Sequence, residues 1–136
     1  AGWKGLCGTD PHGPLEALWN VFWPQVAATP SAAATSTIAW LGPCIGPQAF
    51  EVGPEVRSAF EEGERGDARF FTPASAGKWM ADLPGLARRR LQSLGIASIH
   101  GNDGGPAWCT VGNASRFFSH RRDRVSGRLA ASVWLI

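Results

Sequence analysis

A layered domain that mixes helices and strands, of α/β or α+β type, is what this sequence predicts, on three observations. Runs with helical period alternate along the chain with short apolar, partly β-branched runs. Gly and Pro stand at the borders between them. No internal repeat is visible, and a length of 136 residues suits one domain over residues 1–136.

Taken in order, Gly2–Gly8 reads as a loop or a helix entrance, with three Gly around Trp3 and Lys4. Pro14–Trp23 has helical period: Leu15, Leu18, Trp19, Phe22 and Trp23 recur on one face, and Pro24 should end or kink the helix. Ala27–Ser36 has no period and reads as a flexible connection. Thr37–Leu41 predicts a short buried strand. Gly42-Pro43 and Gly46-Pro47 then break the chain twice before Gly53 and Pro54 open a helix through Glu62, with Gly63 as its stop. A connection so punctuated is either a rigid loop that holds a site or a tight turn and no more.

Glu64–Asp67 reads as a charged turn, and Phe70–Pro73 as an extended pair running into a turn. Asp82 should cap a helix through Leu94, with Pro84 in its first turn and Leu83, Leu86, Ala87, Leu91 and Leu94 on its apolar face. Its Arg88-Arg89-Arg90 run suits the C-terminal half, and as a type reads as a solvated basic face. Ile96–His100 predicts a second strand, residues 101–106 a loop and Cys109–Val111 a third strand. Asn113 or Ser115 is placed to cap a short turn before Phe117. Leu129–Ile136 is apolar almost throughout and reads as a strand buried on both faces.

Composition excludes several classes. A net charge of +2 is too small for a polyanion partner, although clustered arginines suit a local anion site. No uncharged run reaches the roughly 18 residues of a membrane span. Three widely spaced cysteines, Cys7, Cys44 and Cys109, argue against a disulfide framework and fit a reducing cytoplasm. Neither these nor His12, His100 and His120 have the spacing of a zinc finger or an HExxH helix. No GxSxG, P-loop or GxGxxG is present. Residues 117–128 place two aromatics before an Arg-rich stretch. They read equally as an anion contact or as a hairpin-like loop whose Arg–Asp pairs are structural.

Three segments together resemble one family. Ala1–Leu6 resembles HAGWRGL; residues 41–56 resemble LGPxIGPxxFEVGxEV; Cys109 onward resembles CTYS…RFFSYRRDGxTGRMASLIWL. This is the laccase-domain family, described both as copper polyphenol oxidases and as zinc-linked enzymes that cleave or deaminate purine nucleosides. The resemblance implies the C-terminal part of a four-layer α/β/β/α sandwich with a mixed sheet. It implies a cytoplasmic enzyme whose zinc or copper is held by two His and one Cys upstream of Ala1. On that expectation the chain is part of something longer, lacks its metal ligands, holds no cofactor itself and is inactive alone. His–Cys ligation suits polar displacement and so the nucleoside chemistry. Residues 7–36 follow the family poorly. Lys4 stands where Arg is usual, His120 where Tyr is common and Arg124 where Gly is common.

The resemblance leads to Lys4, Gln48, Arg121 and Arg122 as residues lining the substrate or phosphate side of a pocket, with no catalytic residue assigned. The partners expected are a purine nucleoside with phosphate, or small phenols, with no nucleic acid and no membrane. A non-catalytic module that holds an anion or a partner protein is the second expectation. The third is a half-domain with open sheet edges, which should dimerise.

Overall fold

A computed structural model describes residues 2–7, 13–61 and 67–132. Its two sheets are of opposite kinds, as a mixed α/β domain requires. Strand β1 (Ile38–Leu41) pairs in parallel with β5 (Ser98–Gly101), Ile38 opposite Ser98 and Leu41 opposite Gly101. Strands β2 (Glu51–Val52), β3 (Phe71–Pro73) and β4 (Trp79–Ala81) form an antiparallel sheet in the order β2-β4-β3.

The helices are α1 (Pro14–Val26), α2 (Pro30–Ser36), α3 (Pro54–Glu61), α4 (Leu83–Ser93) and a single turn, α5 (His120–Asp123). Helix α4 starts where Asp82 accepts the Gly85 N–H at 2.9 Å, and Gly95 follows it at φ +84°. The apolar face of α4 joins two cores. Leu83 and Leu86 pack with Phe50, Phe60 and Phe71 over the antiparallel sheet. Leu91 packs with Trp19, Ala33 and Ile96 under the parallel pair.

The structure corrects several expectations. Helix α1 does not end at Pro24 but runs on to Val26; Asn20, whose carbonyl loses its partner there, and Pro24 are both exposed, so that carbonyl is open to water. Residues 30–36 form α2 and are no flexible connection: the Thr29 hydroxyl accepts the Ala32 N–H at 3.2 Å, and alanine is the best helix former. Strand β1 is half-exposed, with Ile38 at 72% and Trp40 at 57%, because only one face of the parallel pair is packed. The three arginines of α4 are not a solvated face. Arg88 and Arg89 are half-buried, and Arg90, 5% exposed, pairs with Glu16 of α1 at 3.6 Å.

Cys109–Val111 is no strand; it contributes one isolated bridge, Cys44 with Cys109, and then turns. Asn113 donates its amide to the Pro106 and Cys109 carbonyls and caps nothing, while Ser119 accepts the Arg122 N–H to start α5. Residues 129–132 are exposed and irregular, and the rest of that expected strand lies outside the described residues. So do Gly8, His12, Gly63 and most of the charged turn; Asp67, its last residue, is fully buried.

Arg124 ends α5 at φ 63°, ψ −44°, and the Val125 N–H reaches back to the Asp123 carbonyl at 2.7 Å. This is a γ-turn of the rare positive-φ kind, strained for any residue with a Cβ. Arg124→Gly should therefore raise stability by about 1 kcal/mol, read as a higher urea midpoint at unchanged slope.

Candidate functional site

The two connections that leave β1 and β5 are tied together. The Asn102 N–H donates to the Leu41 carbonyl at 2.8 Å. Its side-chain amide donates to the Gly42 carbonyl at 3.0 Å and to Cys44 Sγ at 3.4 Å, and its Oδ1 accepts the Gly104 N–H at 2.9 Å. Asn102 is 2% exposed, so this is a buried polar hub with both ends satisfied. Further on, the Thr110 N–H donates to the Cys44 carbonyl at 2.9 Å, and the Gly46 N–H donates to Cys109 Sγ at 3.3 Å. The Gly46 carbonyl closes its own turn by accepting from Ala49 and Phe50.

A cleft opens on each side of this seam. One, of about 380 Å³, is walled by Gly46, Gln48, Pro106, Cys109 and Asn113. The other, of about 560 Å³, is walled by Cys44, Phe50, Thr110, His120, Arg121 and Arg128. The structure thus separates the four residues expected to line one pocket. Gln48 is exposed in the first cleft and Arg121 in the second, while Lys4 is exposed on a 3-10 turn, lines neither, and holds its Nζ 5.8 Å from the Trp3 ring.

Arg121 and Arg122 differ sharply. Arg121 lies over the Phe50 ring at 5.7 Å and gives one N–H to the Glu51 carbonyl at 2.9 Å. Among the described residues its Nε and Nη2 have no hydrogen-bond partner. Arg122 spends all five donors within the chain. Nη1 takes the Thr110 and Val111 carbonyls at 2.7 and 3.1 Å, and Nη2 takes the Phe117 carbonyl at 3.1 Å. Nε and Nη2 also form a two-pronged pair with Asp123 at 2.7 and 2.8 Å. That pair holds the Asp123 carboxyl below its ordinary range. In this arrangement Arg122 builds the loop and has no donor left for an anion.

Among the described residues no group of three or more His, Cys, Asp or Glu is placed to hold a metal ion. The donor chemistry agrees. Cys7 is buried in the core, His100 is exposed and shares a hydrogen bond with Ser98 at 3.0 Å, and His120 is exposed on another element. Burial pushes the Cys44 thiol up to about 11, with the Asn102 amide working against it and the charges of Cys109 and Asp82 with it. Cys109 goes the other way: burial raises it, and the N–H groups of Gly112, Gly46 and Val111 outweigh that and lower it.

The raised Cys44 value carries a stability cost at high pH. The folded chain holds that proton more tightly than the unfolded one, so the stabilisation is whole below pH 9 and drains away as pH climbs towards 11. Allowing for partial exposure it amounts to about 1–2 kcal/mol. Cys44→Ser should flatten that part of a urea-midpoint-against-pH curve; an unchanged slope would show the thiol is not its source.

Asn102, Arg88 and the Cys44–Cys109 bridge escape sequence reasoning. A composition such as that of residues 101–106 says "loop" and not which side chain turns inward.

Comparison with known proteins places the chain. The family model described as multi-copper polyphenol oxidoreductase laccase matches residues 1–136, residues 7–36 included. Purine nucleoside phosphorylase YfiH of Escherichia coli (strain K12) is 42% identical over 137 residues, covering 100% of this chain and 49% of that protein. A purine nucleoside phosphorylase of Xylella fastidiosa (strain Temecula1) is 42% identical over 135 residues, covering 99% of this chain and 46% of its own. A Neisseria meningitidis crystal structure superposes with a TM-score of 0.72 at 36% identity, covering 90% of this chain and 44% of that one. The chain therefore spans about half the length of the curated relatives it matches.

Proposed function

The chain belongs to the multi-copper polyphenol oxidoreductase laccase family, and from that premise we propose that it supplies the arginine-lined wall of a purine nucleoside phosphorylase pocket. The observation that carries the reading is Arg121, held over Phe50 and by the Glu51 carbonyl at the mouth of the larger cleft, with the remaining edge of its guanidinium fork presented. Relatives named purine nucleoside phosphorylase support it along the whole chain.

In phosphorolysis a phosphate oxygen attacks C1′ of the ribose, the bond from C1′ to the base breaks, and the base leaves with a proton. The part Arg121 would play is to hold phosphate by charge-assisted hydrogen bonds and orient it. Gln48 would present an amide from the 42–50 loop, and Lys4 a second positive charge. Arg122 would act through the loop it braces.

Among the described residues no group of three or more His, Cys, Asp or Glu stands together to hold a metal ion. The zinc or copper implied by the family would sit on residues from the other half of the relatives' length. We place the enzyme in the cytoplasm; no described helix is long and apolar enough to cross a membrane. The open face of β1, with Ile38 and Trp40, fits burial beneath further chain, because parallel sheets are ordinarily covered on both faces. The chain alone should then self-associate, and light scattering that finds only monomer would count against a covered face.

Phosphorolysis of adenosine tests the assignment, run on this chain and on a longer version carrying the segment that precedes it in its relatives. Activity should appear only in the longer protein, together with stoichiometric metal. Turnover by these 136 residues alone, or oxidation of phenols with no phosphorolysis by the longer protein, would overturn it. Phosphate binding that depends on Arg121 but brings no turnover in either would favour the second reading, a non-catalytic anion-binding module.

A further inference from the structure

Two thiols with opposite chemistry meet at the seam between the clefts. Cys44 and Cys109 are register partners in a parallel bridge. Neighbouring strands lie about 4.8 Å apart, and a disulfide spans Cα separations of about 4.4–6.8 Å. The backbones thus already stand at bridging distance with both cysteines free.

Cys109 has backbone donors turned on its sulfur, which favour the thiolate. Its Sγ accepts the Gly46 N–H at 3.3 Å, and the N–H groups of Gly112 and Val111 stabilise it further. Gly46 is what lets the sulfur come so near: a Cβ there would fall 3.0 Å from Cys109 Cβ and 3.2 Å from its Sγ. The thiol is half-buried and faces the smaller cleft, so a small solute reaches it. Cys44 is protonated at neutral pH and tethered to Asn102. A lowered thiol in an accessible cleft beside a second thiol is the arrangement in which oxidation ends in a disulfide.

We propose that Cys109 is an oxidation site for hydroperoxides and that Cys44 resolves the product into an intrachain Cys44–Cys109 disulfide. The Cys109 thiolate attacks the outer peroxide oxygen. An S–O bond forms, the O–O bond breaks, and the other oxygen leaves with a proton as water or alcohol, giving the sulfenic acid. Cys44 sulfur then attacks the Cys109 sulfur, the S–O bond breaks, and water leaves with the Cys44 proton. Both sulfurs are oxidised by one electron each and one peroxide is reduced. The new bond fastens the 42–50 loop, which carries Gln48, to the connection after β5. The proposal does not depend on the nucleoside reading.

Hydrogen peroxide added in small molar excess to the 136-residue chain tests it. The free-thiol titre should fall from three to one, the intact mass should drop by two hydrogens, and peptide mapping without reductant should join Cys44 to Cys109. In Cys44→Ser the reaction should stop at Cys109 sulfenic acid, captured by dimedone. In Cys109→Ser both remaining thiols should survive. Three intact thiols after peroxide, a link through Cys7, a link between chains, or loss of the Cys44 thiol in Cys109→Ser would each overturn the proposal. The mapping on the unaltered chain decides the matter even where a serine variant does not fold.

Discussion

Replacing Asn102 with leucine should cost about 2–4 kcal/mol, although the two side chains have the same number of heavy atoms and the same branching. The amide is buried at 2% exposure and serves both connections that leave the parallel pair. Leucine keeps the branched shape with somewhat more bulk, and it removes the donor to the Gly42 carbonyl and the acceptor of the Gly104 N–H. An orphaned buried polar group loses more than a satisfied hydrogen bond gains, about 1–3 kcal/mol each. Asn102→Asp is the sharper probe. It retains an acceptor for Gly104 but turns a second oxygen towards the Gly42 carbonyl and Cys44, so it should be no better than leucine. A loss under about 1 kcal/mol for leucine in urea unfolding would show that water replaces the amide and that the hub does not hold the clefts.

How far such a hub is legible from sequence depends on the range of the interactions that make an element. Asp82 caps α4, and Pro54 opens α3, through contacts within a few residues, and the sequence displays both. Strands β1 and β5 are also visible as apolar runs, within a residue or two of their ends. Strand β4 is only Trp79–Ala81 and is made a strand by β2 and β3 on either side, so nothing local announces it. Residues 129–132 err in the other direction. Their apolar character suits a strand, but a strand needs a ladder, and among the described residues none lies beside them. Helix α2 was hidden because Ala, Ser and Thr are typical of linkers, while its Thr29-Pro30 start and its buried Ala33 and Ala34 make it a packed helix.

The arginines show the same limit at the candidate site. In sequence Arg88, Arg121 and Arg122 are alike. In the structure Arg88 closes the end of β5 by donating to the Ile99, Gly101 and Asn102 carbonyls at 3.1, 3.4 and 2.8 Å. Arg122 does the same for the Thr110, Val111 and Phe117 carbonyls. Guanidinium groups so engaged are structural, and only partner-by-partner geometry separates them from one that faces a ligand.

That separation gives the second large effect. In the metal-containing, longer protein, Arg121→Ala should lower kcat/KM for phosphorolysis by about 10- to 100-fold, the worth of one or two charge-assisted hydrogen bonds to phosphate. The loss should fall mainly on the phosphate dependence, with the nucleoside KM little changed. Urea stability should barely move, because Arg121 is exposed and makes one backbone contact. Arg121→Lys keeps the charge and loses the fork, so it should recover part of the affinity and not the rate. Arg122→Ala should behave differently: activity and stability fall together, because three carbonyls and Asp123 lose their partner at once. Arg122→Lys should rescue neither, since one ammonium cannot span those acceptors. Equal losses of stability for the two alanine variants would mean that Arg121 is also a strut. Arg128, which among the described residues engages only its Nη1, with the Ser126 and Gly127 carbonyls, would then be left as the guanidinium of the larger cleft open to an anion.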